Sequence, residues 1–251
     1  MLKKIYEKSE IWFSVAFIIA YCIIMSAGDA LSDHFGIEKS ATLAVGLVLC
    51  AVIIIFLKKN GLFRKYGLCR PTASARSMLF YIPVFLMLSA NLWLGVTLNY
   101  SVGETVLYIL SMLCVGFLEE IIFRGMLFVA MEKDTPRAAI IVSSITFGMG
   151  HIINLFNGSG AELVPNILQT VYATAAGFMF VMIYVRSRSL IVPIAAHGAF
   201  NALSAFTVAP GTLEFDILTC VLLTVITGGY ALYLALNTKK SKKKVQNREA
   251  C

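Results

Sequence analysis

The chain has 251 residues, of which 59% are hydrophobic and only 14% are charged. Soluble domains carry about 25% charged residues, so this composition excludes an ordinary soluble protein and indicates a polytopic membrane protein. The net charge of +7 does not indicate nucleic-acid binding, because the basic residues lie between apolar runs rather than on one surface. We therefore expect an all-α membrane protein whose partners include lipids and no nucleic acid.

Eight apolar runs of membrane-spanning length follow one another along the chain. The first is interpreted as an uncleaved span rather than a signal peptide, because it is long for a signal sequence and many spans follow it. We predict a bundle of eight transmembrane helices over 1–238 and a basic, disordered cytosolic tail over 239–251. The runs cover about 11–31, 41–57, 78–98, 105–131, 138–156, 164–185, 190–207 and 215–236.

The basic residues indicate the orientation of this bundle. Of the 21 Lys and Arg residues, all except Lys39 and Arg124 fall in termini and loops that eight spans would place on one side. Loops rich in Lys and Arg stay in the cytosol, so both termini are predicted to be cytosolic. The protein is expected in the cell membrane of a bacterium or in the endoplasmic reticulum of a eukaryote.

The fourth run carries three ionisable residues, Glu119, Glu120 and Arg124. A charge at bilayer depth costs about 2.5–3.5 kcal/mol on insertion scales, so such residues are expected to face the bundle interior and to have partners. Glu120 and Arg124 are four residues apart and are predicted to pair on one helical face. Glu119 is turned by about 100° from Glu120 and needs another partner.

Polar side chains in two later runs are candidates for that partner. His151 lies in the fifth run, and His197 and Asn201 lie in the seventh. At a rise of about 1.5 Å per residue, Glu119 and His151 lie roughly 18 and 20 Å from the cytosolic turns. His197 and Asn201 lie roughly 10 and 16 Å from them. All four can therefore share one layer, and we predict a common site rather than separate helix-to-helix hydrogen bonds.

The chemistry of this set indicates hydrolysis. A carboxylate and an imidazole on facing helices can hold a water molecule and remove its proton. A second imidazole and an amide can donate hydrogen bonds to the oxyanion of a tetrahedral intermediate. The set predicts amide hydrolysis without a covalent intermediate. A nucleophile such as Ser143, Ser144 or Cys114 is not excluded by composition, but the sequence indicates no activating partner for it.

Three motifs carry a family resemblance. EExxxR occurs at Glu119–Arg124, FxxxH at Phe147–His151 and HxxxN at His197–Asn201. In this order and on separate spans, they resemble the type II CAAX prenyl endopeptidases and their bacterial relatives, the CAAX protease and bacteriocin-processing (CPBP, Abi) family. The resemblance covers about 116–203, and the other spans match only as apolar segments.

The resemblance implies an intramembrane endopeptidase with a helical fold and a site that opens to the cytosol. It implies that Glu119 and His151 activate water and that His197 and Asn201 form the oxyanion site. The implied substrate is a peptide or protein, with a prenylated CAAX-type peptide and a bacteriocin or leader peptide as candidates. The supporting residues that the motifs imply are Glu120, Arg124 and Phe147.

Two alternatives stay open at this stage. The family is commonly labelled metalloprotease, and Glu119, His151 and His197 could hold zinc, although HExxH is absent and direct action on water is favoured. The enzyme is therefore expected to be of the glutamate type or the metallo type. The other alternative is a non-catalytic scaffold or bacteriocin-immunity protein. A proton-coupled transporter is disfavoured, because the sequence lacks paired repeats.

Overall fold

The structure is a computed structural model that describes residues 2–157, 160–208 and 211–249, and of 239–249 only the backbone. Its architecture confirms the predicted all-α polytopic class. Seven helices within these residues are long and apolar enough to cross a membrane. The helices in chain order are α1 (Leu2–Lys8), α2 (Glu10–Phe35), α3 (Ser40–Lys59), α4 (Ile82–Ser89), α5 (Val102–Glu132), α6 (Pro136–Leu155), α7 (Leu163–Ser187), α8 (Ile191–Phe206) and α9 (Leu213–Glu249).

Each of the eight predicted runs coincides with one helical segment. The seventh run, 190–207, forms α8, which is too short to be one of the seven, whereas the third run is counted through the segment Ala75–Leu92, which contains α4. The predicted tail over 239–251 lies where side chains or whole residues fall outside the description, so its disorder and its cytosolic location stay predictions. The boundary at residue 238 between the membrane domain and the tail stays a prediction too.

The third run, 78–98, is not one continuous helix. A 3₁₀ segment, Ala75–Tyr81, precedes α4, and residues 79–81 have positive φ angles of 51°, 50° and 59°. Pro83 lies in the first turn of α4, where its missing N–H costs no helical hydrogen bond. The carbonyl of Met78 accepts a hydrogen bond of 2.6 Å from the Tyr230 hydroxyl. A hydrogen bond from α9 therefore stabilises the backbone at the break in the helix.

Helix α5 occupies the centre of the bundle. It packs against α2, α3, α6 and α8, while α7 packs mainly against α6 and α9. Its first turn is held by a capping box, in which Ser101 and Glu104 satisfy each other's backbone N–H groups. Because α5 contains the charged motif, its central position brings the three ionisable side chains to the interior, as their desolvation cost requires.

Candidate active site

The charged motif lies on a π-helical turn of α5. Glu119 ends the α-helical part, and the segment Glu120–Phe128 forms i→i+5 hydrogen bonds. All nine residues of this π-helical segment are buried. π-helical turns widen a helix locally and are frequent at functional sites. Sequence periodicity did not predict this turn.

A close approach of two helices brings α8 to the motif. A Cβ atom built on Gly116 of α5 would lie 2.5 Å from the backbone nitrogen of Gly198 on α8. Only glycine at position 116 allows the two backbones to come this close. Because Gly198 follows His197, the contact places that imidazole beside the two glutamates.

His197 lies between the two carboxylates. Its Nδ1 is 2.9 Å from Oε1 of Glu120, and its Nε2 is 3.4 Å from Oε2 of Glu119. The ring stacks on Phe180 with a centroid distance of 5.5 Å, and the residue is only 5% exposed. Two carboxylate contacts and two aromatic contacts, with Phe180 and Phe147, therefore determine its orientation.

The predicted pairing of Glu120 and Arg124 is confirmed. Arg124 donates a hydrogen bond of 3.0 Å to Oε1 of Glu120, and both side chains are completely buried. The guanidinium lies 4.0 Å above the centre of the Phe147 ring, in a cation–π contact. Phe147 also makes edge-to-face contacts with His151 and His197. It therefore links the arginine to both histidines.

Glu119 has a partner that sequence reasoning missed. The hydroxyl of Tyr21 on α2 donates a hydrogen bond of 2.7 Å to its Oε1. Its other oxygen, Oε2, is buried and accepts no hydrogen bond within the described part of the chain. A phenol within an apolar span was the available signal, but the sequence does not reveal that α2 packs on this face of α5.

His151 and Asn201 border the same cavity as Glu119, with a volume of about 330 Å³. His151 begins the 3₁₀ end of α6, and its carbonyl accepts a hydrogen bond of 2.9 Å from Asn166 on α7. The His151 ring packs edge to face against Phe147, with 5.7 Å between the ring centroids. The structure thus brings all seven predicted site residues to one place: six of them connect through direct contacts around His197 and Phe147, and Asn201 lies on the cavity wall.

A zinc ion at this site would need Glu119, His151 and His197 as ligands. Nδ1 of His197 contacts Glu120, so Nε2 is the ring nitrogen that faces Glu119. No group of three or more His, Cys, Asp or Glu side chains within residues 2–157, 160–208 and 211–249 is arranged to hold a metal ion. The arrangement therefore does not fit a three-ligand site, and the chemistry below is derived from the side chains alone.

Fold and site together define a class: an all-α membrane protein with a polar cavity that ends at a buried carboxylate. Residues 101–203 match the family model described as type II CAAX prenyl endopeptidase Rce1-like. The chain is also 37% identical over 94 residues to the "Putative membrane peptidase YdiL" of Bacillus subtilis (strain 168). That match spans 37% of this chain and 33% of the relative. The resemblance predicted from the three motifs is confirmed over this segment.

Proposed function

We propose that the protein is an intramembrane endopeptidase that hydrolyses a peptide bond with a water molecule bound at Glu119. The observation that supports it most is Oε2 of Glu119, which accepts no hydrogen bond from the described residues, lies 3.4 Å from Nε2 of His197 and belongs to a residue that borders a cavity of about 330 Å³. A buried polar atom without a protein partner is expected to bind water when the site has room and further polar groups. His151 provides a further polar group on the same wall.

Glu119 and His151 act together as the base in this proposal. The water donates a proton to the carboxylate and attacks the carbonyl carbon of the scissile bond, and the imidazole accepts the other hydrogen bond of the water. The C–N bond then breaks, and the departing amine takes the proton that Glu119 received. The Tyr21 hydroxyl keeps Oε1 occupied, so Oε2 is the oxygen left for water.

His197 and Asn201 supply the hydrogen bonds that the developing oxyanion needs. In this proposal Nε2 of His197, on the Glu119 side of the ring, carries the proton that is donated to the oxyanion, while Nδ1 contacts Glu120. The Asn201 amide lies on the cavity wall and can donate to the same oxygen.

Glu120, Arg124 and Phe147 position the catalytic groups in this proposal. The buried arginine balances the charge of Glu120. Glu120 can therefore hold His197 in position while Glu119, rather than Glu120, binds the water. Phe147 packs against the guanidinium and both imidazoles, so it restricts their motion. These three residues therefore act through the catalytic side chains rather than on the substrate.

The family match and the named relative support a membrane peptidase in general. The substrate within that class is part of the proposal: a prenylated CAAX-type peptide, or a bacteriocin or leader peptide. The glutamate-type mechanism is proposed ahead of the metallo-type, because Oε2 of Glu119 accepts no hydrogen bond from the described residues and no three-ligand metal group is found among them. A location in a cell membrane is also part of the proposal, and the apolar helices and the similarity to a bacterial membrane peptidase support it.

Cleavage by the purified protein tests this proposal. Wild type, Glu119→Gln and His151→Ala are reconstituted in nanodiscs and given fluorogenic peptides, one prenylated and one hydrophobic without a prenyl group. Loss of a general base typically costs about 10²–10⁴-fold in rate, so both variants are expected to lose turnover by that factor. Each reaction is repeated with a chelator, and the glutamate-type mechanism predicts unchanged turnover.

Glu162→Gln is the matched control, because Glu162 is exposed in the loop before α7. This variant should cleave the peptides as fast as wild type. Turnover that survives in Glu119→Gln would defeat the proposal. Turnover that the chelator abolishes in wild type would replace the glutamate-type mechanism with a metal-dependent one.

A further inference from the structure

The cavity at Glu119 runs toward one end of the bundle only. Its wall follows α5 from Tyr108, near the start of the helix, through Met112 and Val115 to Glu119. The spacing of four, three and four residues places these side chains on one helical face. On α2 the wall reaches Asp29, close to the end of that helix.

Side chains from other helices border the cavity at the same end. Asn91 follows α4, Asn157 follows α6, and Ser204 lies in the last turn of α8. These three positions come just before loops that the eight-span topology places opposite the basic loops. The cavity therefore extends from the buried carboxylate to the less basic face of the protein.

The opposite end is closed by packed side chains and backbone hydrogen bonds. Beyond Glu119, the whole segment Glu120–Phe128 is buried. The loop after α3 is bonded to the α7–α8 turn, since the carbonyl of Gly67 accepts from the N–H of Leu190 at 2.8 Å. Thr72 donates to the Ser187 carbonyl at 2.8 Å. Leu190 itself is completely buried under this loop.

Ion pairs connect the predicted cytosolic segments at this closed end. Lys65 and Lys133 both contact the Glu10 carboxylate, at 2.6 and 3.1 Å. Arg188 contacts Glu132 at 2.7 Å. Another hollow of about 660 Å³ lies here, but no predicted site residue is among the described residues that line it. The end of the bundle that carries the basic loops is therefore the end at which the cavity is closed.

We propose that this site receives its peptide from the membrane face opposite the basic loops, and that the segment reaching Glu119 is neutral or positively charged. This inference rests on the proposed peptidase function for the nature of the ligand. It reverses the expectation, implied by the family resemblance, that the site opens to the cytosol. The substrate would be the part of a membrane peptide that is exposed on the non-cytosolic side.

The charge of the cavity wall supports the second half of this proposal. Asp29 and Glu119 are carboxylates, and the described lining residues include no Lys or Arg. Lys39 pairs with Asp29 at 2.8 Å, and Glu38 and Glu104 lie beside this pair. A cavity of this sign attracts cations and repels anions, so a free carboxylate on the peptide would lack a cationic partner.

Cysteine labelling in sealed membrane vesicles tests the direction of access. In a full-length protein with its other cysteines replaced, a single cysteine is placed at the cavity wall by Ser26→Cys or retained there as Cys22. Native Cys69, in the hollow at the basic end, is the matched control. Native Cys220, which is 5% exposed, reports background reaction. The probe is a sulfonated, membrane-impermeant maleimide.

In right-side-out vesicles, the cavity cysteines are expected to react at least tenfold faster than Cys69, and in inverted vesicles the order should reverse. Faster labelling of the cavity cysteines in inverted vesicles would overturn the proposal. Reaction as slow as that of Cys220 in both orientations would overturn it too, because the cavity would then be closed to water.

The preference for charge is measured in the same vesicles. A hydrophobic peptide with added Lys residues should slow labelling of Ser26→Cys several-fold, and a matched peptide with Glu residues should not. Equal slowing by both peptides, or none by either, contradicts the predicted preference. Labelling requires no hydrolysis, so an inactive protein that labels as expected would refute the peptidase proposal while access from the non-basic face stands.

Discussion

The two halves of the bundle on either side of Glu119 differ in packing. Toward the basic end, every residue of Glu120–Phe128 is buried, and the interior is filled by aromatic and aliphatic side chains. Toward the other end, α5 has only four buried residues over Val102–Glu119, and a cavity lies beside it. The comparison shows how one helix can hold one glutamate in a packed interior and the adjacent glutamate beside a cavity.

Glu120 belongs to the packed half, and Glu119 borders the open half. Glu120 is completely buried, with Arg124 and His197 both at its Oε1. Glu119 also contacts His197, through Oε2 at 3.4 Å, but unlike Glu120 it borders the cavity. A charge that only organises the site can be excluded from water, whereas a charge that acts on water must have access to it. Four variants test this difference.

The largest effect is expected from Arg124→Ala in the packed half. The substitution leaves the buried charge of Glu120 without its arginine, and breaking a buried pair typically costs about 3–5 kcal/mol. Thermal unfolding in detergent micelles should show a loss of that size. Arg188→Ala is the control, because its pair with Glu132 is half exposed and should be worth about 0–1 kcal/mol. Equal losses would mean that the burial of the pair has no energetic consequence.

A smaller loss is expected from Gly116→Ala, where the two halves meet. The added methyl group would lie against the backbone of Gly198, so α5 and α8 must move apart. Overpacking of this kind typically costs about 1–3 kcal/mol. Gly103→Ala is the matched control, since its Cβ meets no atom within 4 Å. That variant should be neutral or slightly stabilising, and a cost equal to that of Gly116→Ala would disprove the close approach.

Tyr21→Phe should affect catalysis more than stability. It removes the hydroxyl that occupies Oε1 of Glu119, so water can bind at either oxygen. We expect kcat to fall about tenfold, which corresponds to about 1.4 kcal/mol, with KM unchanged. Tyr233→Phe, on the surface of α9, should leave both constants at wild-type values. A normal kcat in Tyr21→Phe would show that this bond does not position the base.

The smallest effect concerns Lys65 at the closed end. Partial burial lowers its pKa, but hydrogen bonds to Glu10 and Tyr6 outweigh this, and the pKa lies above the usual lysine value. A raised pKa stabilises the fold fully below the unfolded value of about 10.4, and this contribution is lost as pH rises through the folded value. Lys65→Gln should therefore be less stable than wild type below the folded pKa of Lys65, and the difference in unfolding free energy should shrink as the pH rises through that pKa. A deficit that stays constant in melting curves from pH 9 to 11.5 would refute the pKa shift.

Much of the site could be predicted because its parts are local in sequence. Hydropathy adds along the chain, so eight apolar runs emerge without any knowledge of packing. Glu120 and Arg124 pair within one helix, and their spacing alone predicts that contact. The other polar residues are recognisable because a polar side chain in an apolar span is costly and therefore conspicuous.

Contacts between distant helices could not be predicted in this way. The bond from Tyr21 to Glu119 joins residues 98 positions apart, and the contact of His197 with Glu120 joins residues 77 apart. Neither is encoded by spacing, since each depends on which helix faces pack together. The break before α4 likewise depends on Tyr230, which meets the Met78 carbonyl only in the folded bundle.

The sequence by itself therefore determined the membrane class, the helical runs, the orientation preference and the residues that carry charge at bilayer depth. The tertiary structure alone decided that Glu119 borders a cavity while Glu120 does not, and that this cavity reaches the face opposite the basic loops. The reason is physical: transfer free energies belong to single residues and sum locally, whereas cavities and access exist only between helices that have already packed.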